Sequence, residues 1–457
     1  MGRNNQSDTH GRYADFHGNG DTVRGLGYSS GGDQMSVGIM LYHSLKAGNL
    51  PKEYQEVNWI RSSGGSGKPY IDTGYTPNEK TRVKIRMQWY YLNNSNWGGF
   101  GSGESATSRS FSIYNYSNAL NICYGSQNIG ADTSGHWDIT LYHVYTIDFN
   151  RNVCTVIDNS DNNSTKTWTL NNYTFTAPYT MYLFGVHRAT SGFAGVAIHG
   201  GVEIYDDDVL VRYLIPCYRK ADNVIGYYDT VGKTFYSSPT GKFWRGTAIK
   251  RLPSAYQQVE SIESSGTQYL NTGLDLSGGY HIHAYMIFKD QSNLLDTYFG
   301  TENGGSPYAS VMVREGSSSV LQFNTGEGGL SKTSSFNGNG GSFLELYAQN
   351  SASKIVWTPV WGSESTWTGS YPSAISSYPL IIFASSLGSG VSRFAQTTMY
   401  EFTVWDGNEN LVGDFVPCYR KSDGVIGAYD LVTKQFLTNL GSGDFSKGSS
   451  LNPAKRT

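Results

Sequence analysis

The sequence predicts an all-β chain of two tandem antiparallel β-sandwich domains of jelly-roll type, preceded by an N-terminal extended arm. Three observations predict it. The chain repeats itself at an offset of about 200 residues. Its composition is rich in strand and turn formers, with 34 Tyr, 20 Phe and 55 Gly, and only 16% of its residues are charged. Its apolar residues alternate with polar ones in short runs, the period of a half-buried strand.

The repeat opens with LPKEYQEVNWIRSSG at Leu50 and with LPSAYQQVESIESSG at Leu252. PYIDTGY (Pro69 to Tyr75) is answered by QYLNTGL (Gln268 to Leu274). The closing words are IPCYRKADNVIGYYDTVGKTFY from Ile215 and VPCYRKSDGVIGAYDLVTKQFL from Val416. These set the expected organisation: an arm at 1–49, sandwiches at 50–246 and 252–448, a linker at 247–251 and a flexible tail at 449–457. Duplicating a module commonly adds binding valency, because a second linked contact becomes intramolecular.

In the arm, a Gly- and Asn-rich stretch leads into SVGIMLYHSLKAG (Ser36 to Gly48), whose apolar side carries Ile39, Met40, Leu41 and Tyr42. It reads as a short helix or hydrophobic peg. Packing against the first sandwich and anchoring onto a larger assembly, as a dimer or trimer, both fit. Within the repeats, TRVKIRMQWYYL (Thr81 to Leu92) puts Val83, Ile85, Met87 and Trp89 on one face and Arg82, Lys84, Arg86 and Gln88 on the other. YHIHAYMIFKD (Tyr280 to Asp290) is its counterpart. YHVYTIDF from Tyr142 pairs in pattern with FLELYAQN from Phe343, and MYLFGV from Met181 with PLIIFAS from Pro379. A hairpin follows in each copy, from Gly201 to Pro216 and from Tyr400 to Pro417, and Asp406-Gly407-Asn408 marks its turn.

The net charge of -3 and the lack of a dense basic run argue against non-specific nucleic-acid binding. No apolar run is long enough for a membrane span, and the N-terminus has no apolar signal core. Of the four cysteines, Cys217 and Cys418 hold the same place in the two copies. Cys123 and Cys154 occur only in the first; a disulfide between them is one arrangement, and buried free thiols are the expected one.

The opening words, the Y-[IL]-[DN]-T-G element and the PCYRK closing resemble modules of the concanavalin A-like lectin/glucanase sandwich, laminin G-like modules included. The Gly/Asn-rich start ahead of such modules resembles fibre and head-decoration proteins of gut crAss-like phages. This resemblance implies a virion structural protein on the virion surface, assembled in the host cytoplasm. Its arm would engage other virion proteins, its sandwiches would make weak multivalent contact with glycans, and it would work as a homo-oligomer. A purely structural capsid or tail decoration subunit is the alternative, and a glycan hydrolase or bacterial surface lectin a further one.

Glucanases of this fold carry E-x-D-x-x-E on one strand, because alternate residues face one cleft. EIYDDD (Glu203 to Asp208) and EFTVWD (Glu401 to Asp406) both miss the middle carboxylate. No enzyme and no cofactor are therefore expected. Asp206, Asp207 and Asp208 fit a solvated hairpin turn better than a calcium site. His281 and His283 stand two apart on one strand without matching acidic or Cys partners, so a metal site is not expected there. In the closing words, Cys217, Tyr218, Arg219, Lys220 and Asp222, with Cys418, Tyr419, Arg420, Lys421 and Asp423, are read as a structural frame held by Arg–Asp pairs. Sugar contact asks for ring faces beside hydroxyl-binding polar groups. The candidates are Trp97, Tyr114, Tyr116, Tyr124 and Trp137 in the first copy, and Tyr308, Trp357, Trp361, Trp367 and Tyr371 in the second.

Overall fold

A computed structural model of the protein describes residues 50–62, 68–90, 98–130, 133, 135–189, 192–193, 195–288, 296–303, 311–317, 320–335, 341–359, 364–388 and 390–451. The arm with Ile39, Met40, Leu41 and Tyr42, and the candidates Trp97, Tyr308 and Trp361, lie outside the described residues. The described residues contain strands and turns and no helix.

Each repeat folds into its own sheets, whose strands pair antiparallel except for Thr297–Glu302 with Ser385–Leu387 in the second repeat. In the first, the large sheet runs Ser164–Thr169, Val153–Asp158, Val144–Asn150, Thr81–Trp89, Val202–Asp206, Val209–Arg219, Ile225–Asp229, Thr234–Ser237. The opposing sheet runs Ile71–Asp72, Tyr182–Leu183, Gly99–Ser102, Ser110–Tyr116, Ala119–Gly125, Gln127–Ile129. The second repeat reproduces the order. Its large sheet runs Ser365–Ser370, Ala352–Pro359, Ser342–Gln349, Tyr280–Phe288, Gln396–Asp406, Leu411–Arg420, Ile426–Asp430, Phe436–Thr438. Facing sheets enclose one core per repeat, a sandwich of jelly-roll type. One core gathers Val83, Ile85, Met87 and Trp89 with Phe100, Phe111 and Ile113; the other gathers Ile282, Ala284 and Met286 with Phe299, Val313 and Phe323.

The alternation read from TRVKIRMQW holds residue by residue: its odd-numbered members are buried and its even-numbered ones reach the outer face. Two runs read as single strands are broken. MYLFGV and PLIIFAS each kink at a phenylalanine, Phe184 at φ +69° and Phe383 at φ +73°. Both rings are fully buried, and Phe184 packs on Phe243 as Phe383 packs on Phe445. Left-handed backbone is costly for a bulky residue, so the ring's place in the core holds each kink.

The closing words build the same frame in each copy. Arg219 makes paired contacts to Asp222 (2.6 Å from Nη2), and Arg420 does so to Asp423 (2.7 Å). Each guanidinium also lies over a ring, Phe235 and Phe436 respectively. Lys220 and Lys421 donate to the carbonyls of Lys52 and Ser254, tying the closing hairpin to the opening words. Tyr54 packs between Tyr228 and Phe235, as Tyr256 does between Tyr429 and Phe436. Cys217 and Cys418 are buried, as are Cys123 and Cys154, and all four are free thiols.

The end of the chain differs from the expectation of a tail from 449. Leu451 donates its N–H to Gln258 and its carbonyl accepts from Gln257. This repeats the bonding of Ile249, whose carbonyl accepts from Gln55. Residues 449–451 thus close the second repeat as 247–249 close the first, and 452–457 lie outside the described residues.

Candidate functional site

Where the two repeats meet, a buried ionic cluster forms within one compact unit. Arg245 of the first repeat donates from Nη1 to Glu401 Oε1 (2.6 Å) and from Nη2 to Oε2 (3.0 Å). Ala248 N–H adds a third donor to the same carboxylate at 2.5 Å. The guanidinium lies over the Tyr218 ring of its own repeat (4.6 Å) and the Phe343 ring of the other (5.2 Å). Lys250 pairs with Asp414 at 3.0 Å, and Asn58 donates to Glu260. Behind Glu401, His283 Nδ1 contacts Glu345 Oε1 at 2.6 Å and its Nε2 stands 3.4 Å from Glu401 Oε2. Glu345 also bonds His281, whose ring is stacked between Tyr347 and Trp405.

Burial opposes charge on Glu401, His283 and Glu345, and pairing overcomes it. Burial would raise the Glu401 carboxyl, but Arg245 and then His283 hold it well below the usual carboxylate range. Burial would lower His283, but Glu345 and then Glu401 push it up to about 9. Glu345 is brought down to about 2 by His283 and then His281, against its burial. The expectation that the two histidines lack acidic partners is thus corrected: Glu345 lies on the adjacent strand, directly opposite His283 in register. Its oxygens already bond both rings, so the group is a hydrogen-bonded network. Among the described residues no group of His, Cys, Asp and Glu is placed to hold a metal ion.

The two carboxylate strings also separate in space. In register Glu203 faces Lys84, whereas Thr403 faces His283, the counterpart of Lys84. Glu203 therefore corresponds to Thr403, and Gly200-Gly201 stand where the second repeat has Glu401. Glu203 accepts from Tyr205 (2.5 Å) and pairs with Lys84, while Glu401 is sealed at the junction. Asp207 pairs with Lys80 and Arg151, Asp208 with Arg151, and Asp206 accepts from Asn78. The acidic run is a cation-tied hairpin turn.

The ring candidates are mostly interior. Tyr114, Tyr124 and Trp357 are buried, and Tyr114 lies beneath the Arg188 guanidinium. Trp137 packs against Tyr145 and Trp168, Trp367 against Phe323, and Tyr371 on the second core. Among the described candidates only Tyr116, 39% exposed, presents much surface. The Asn- and Ser-rich stretches that looked like loops are largely strands; Ser110–Asn115 and Ala119–Gly125 are covered on both faces, which buries Tyr114 and Tyr124 and leaves Tyr116 exposed at the strand end.

An open concavity lies elsewhere, on the second repeat. A groove of about 530 Å³ is lined by Tyr400, Ile287, Ser261, Thr398, Ser446, Glu263 and Lys447. The Tyr400 ring is held by stacking on Tyr285 at 4.5 Å. Strand register equates this groove with Trp59, Arg61, Trp244 and Arg245 in the first repeat. There Trp59 is buried, and a Cβ on Gly246 would meet its indole at 2.5 Å. Where the first frame carries these two tryptophans the second carries Ser261 and Ser446, and both serines line the groove. Sequence reading missed it because it sought rings present, not rings lost between copies; VNWIRSSG set beside VESIESSG carries the signal.

No protein-family model and no curated protein matches the chain. Among solved structures it is similar to the LG4-5 domains of the mouse laminin alpha1 chain, at 11% identity over 89% of this chain and 99% of that one, with a TM-score of 0.27. It is similar also to the LG1-3 region of the laminin alpha2 chain, at 9% identity over 87% of this chain and 66% of that one, TM-score 0.26. A third is the binding domain of Botulinum Neurotoxin DC in complex with SialylT, at 12% identity over 86% and 88% of the two chains, TM-score 0.22. Likeness at these scores assigns no ligand to this chain.

Proposed function

We propose that this chain is a non-catalytic glycan-binding protein of a virion surface, in which the second sandwich holds the saccharide and the first is locked onto it. The groove carries the reading. Saccharides are bound by a ring face set among hydroxyl, carboxylate and backbone groups, in a concavity of a few hundred Å³. Tyr400 supplies the ring, and Ser261, Thr398, Ser446 and Glu263 supply donors and acceptors. The sequence pattern of residues 1–49 supports the virion part: a Gly/Asn-rich start and an apolar segment at Ile39–Tyr42 suit an attachment arm that assembles a dimer or trimer.

A glycan microarray probed with the full chain and with Tyr400→Ala tests the binding. Binding lost with Tyr400→Ala in a folded protein is the expected result. An array that is silent for the full chain, or unmoved by the substitution, rejects the groove. The mass in solution of the full chain and of a chain lacking 1–49 tests the arm. An oligomer that becomes a folded monomer supports it, and two monomers reject it.

A further inference from the structure

The first repeat carries, at the position of the groove, a receptor for a carboxylate, and that receptor is occupied. Its parts are the Arg245 guanidinium seated on the Tyr218 ring and the outward N–H of Ala248; its occupant is Glu401. The second repeat builds the same parts on the same frame. Lys447 faces Ile262 in register as Arg245 faces Ile60, and its ammonium lies over Tyr419 at 5.2 Å as Arg245 lies over Tyr218. Ser450 bridges Val259 as Ala248 bridges Val57, so the Ser450 N–H takes the outward place of the Ala248 N–H. Among the described residues no carboxylate pairs with Lys447 as Glu401 pairs with Arg245, and Lys447 is exposed where it lines the groove.

We infer that the groove takes a saccharide bearing a single carboxylate, such as a uronate or a sialate, with the carboxylate on Lys447 and the Ser450 N–H and the sugar against Tyr400. This rests on the reading of the groove as a glycan site. A second copy of the chain does not supply the carboxylate in the same way. On its first repeat Gly200 and Gly201 replace Glu401, and Lys84 and Arg86 replace His283 and Tyr285, so Lys447 would meet like charge. Glu263 also lines the groove. The concavity suits one or two sugar rings and is too small for the flat surface of a folded partner.

The test is calorimetric titration of the full chain with oligosaccharides ending in galacturonate, glucuronate or N-acetylneuraminate, each paired with its carboxyl-reduced counterpart. At least one acidic sugar should bind about tenfold tighter than its reduced form. Lys447→Ala should remove that preference, Lys447→Arg should keep it, and Tyr400→Ala should abolish binding of both forms. Equal binding of acidic and reduced sugars, insensitive to Lys447→Ala but lost with Tyr400→Ala, overturns the carboxylate inference and leaves the glycan site standing. No saccharide bound at all, or capture only of an acidic peptide through Lys447, overturns both.

Discussion

Arg245→Ala is the most informative single change to the junction between repeats. The Arg245 and Glu401 side chains are each only 11% exposed, and the guanidinium gives the carboxylate two of its three closest donors. Deleting the cation leaves a buried anion with the Ala248 N–H and the His283 ring. Stranding one member of a buried pair costs about 3–5 kcal/mol, far more than loss of an exposed pair at about 0–1 kcal/mol. Loss of the stacked contacts with Tyr218 and Phe343 adds to this in the same direction. Urea unfolding of the full chain, followed by tryptophan fluorescence, reads the cost. The pair Arg245→Met with Glu401→Gln should recover most of it, because neither member of the pair is then charged, His283 keeps Glu345, and the glutamine oxygen still accepts from Ala248. A loss below about 1 kcal/mol for Arg245→Ala would refute the reasoning, since it would mean that water reaches the pair and the repeats are not locked through it.

Three further outcomes are expected. Stability should pass through a plateau between about pH 4.5 and 6.5: His283, raised from 6.5 to about 9 on folding, stabilises fully below the lower value and loses this as pH climbs to the higher. Glu345, lowered from 4.5 to about 2, stabilises above the higher value and loses this as pH falls; His283→Gln should flatten the alkaline limb of the melting-temperature profile, and an unchanged limb rejects the assignment. Gly427→Ala should cost at least about 1–3 kcal/mol, because its Cβ would stand 2.1 Å from the Leu437 carbonyl on the paired strand; a neutral result contradicts the pairing. A thiol reagent should label no cysteine in the native chain and all four in denaturant without reductant, since burial covers every thiol and raises the pKa of each; two missing thiols would mean a Cys123–Cys154 disulfide.

The all-β fold was legible because its cause is local. A strand with one face in a core must alternate, and Thr81–Trp89 and Ser342–Gln349 alternate in the sequence as in the structure. The tandem plan was legible because both copies keep the opening and closing words. The junction was not. Arg245 and Glu401 lie 156 residues apart, and neither stands in a motif that announces a partner. The ring candidates misled as well: Tyr114 lies on a strand covered on both faces and Trp357 on the buried face of an alternating strand, so both rings are buried despite their polar stretches. The groove was written as a difference between the copies, Trp59 against Ser261 and Trp244 against Ser446, and only the paired strands show that these positions share one wall.

Restoring the lost rings tests the central claim most directly. Ser261→Trp with Ser446→Trp gives the second frame the tryptophans that the first already accommodates, so the chain should keep its melting temperature within a few degrees while the groove closes. Saccharide binding measured by calorimetry should then vanish. Binding at undiminished affinity in the folded double variant would contradict the account and move the ligand site away from this groove.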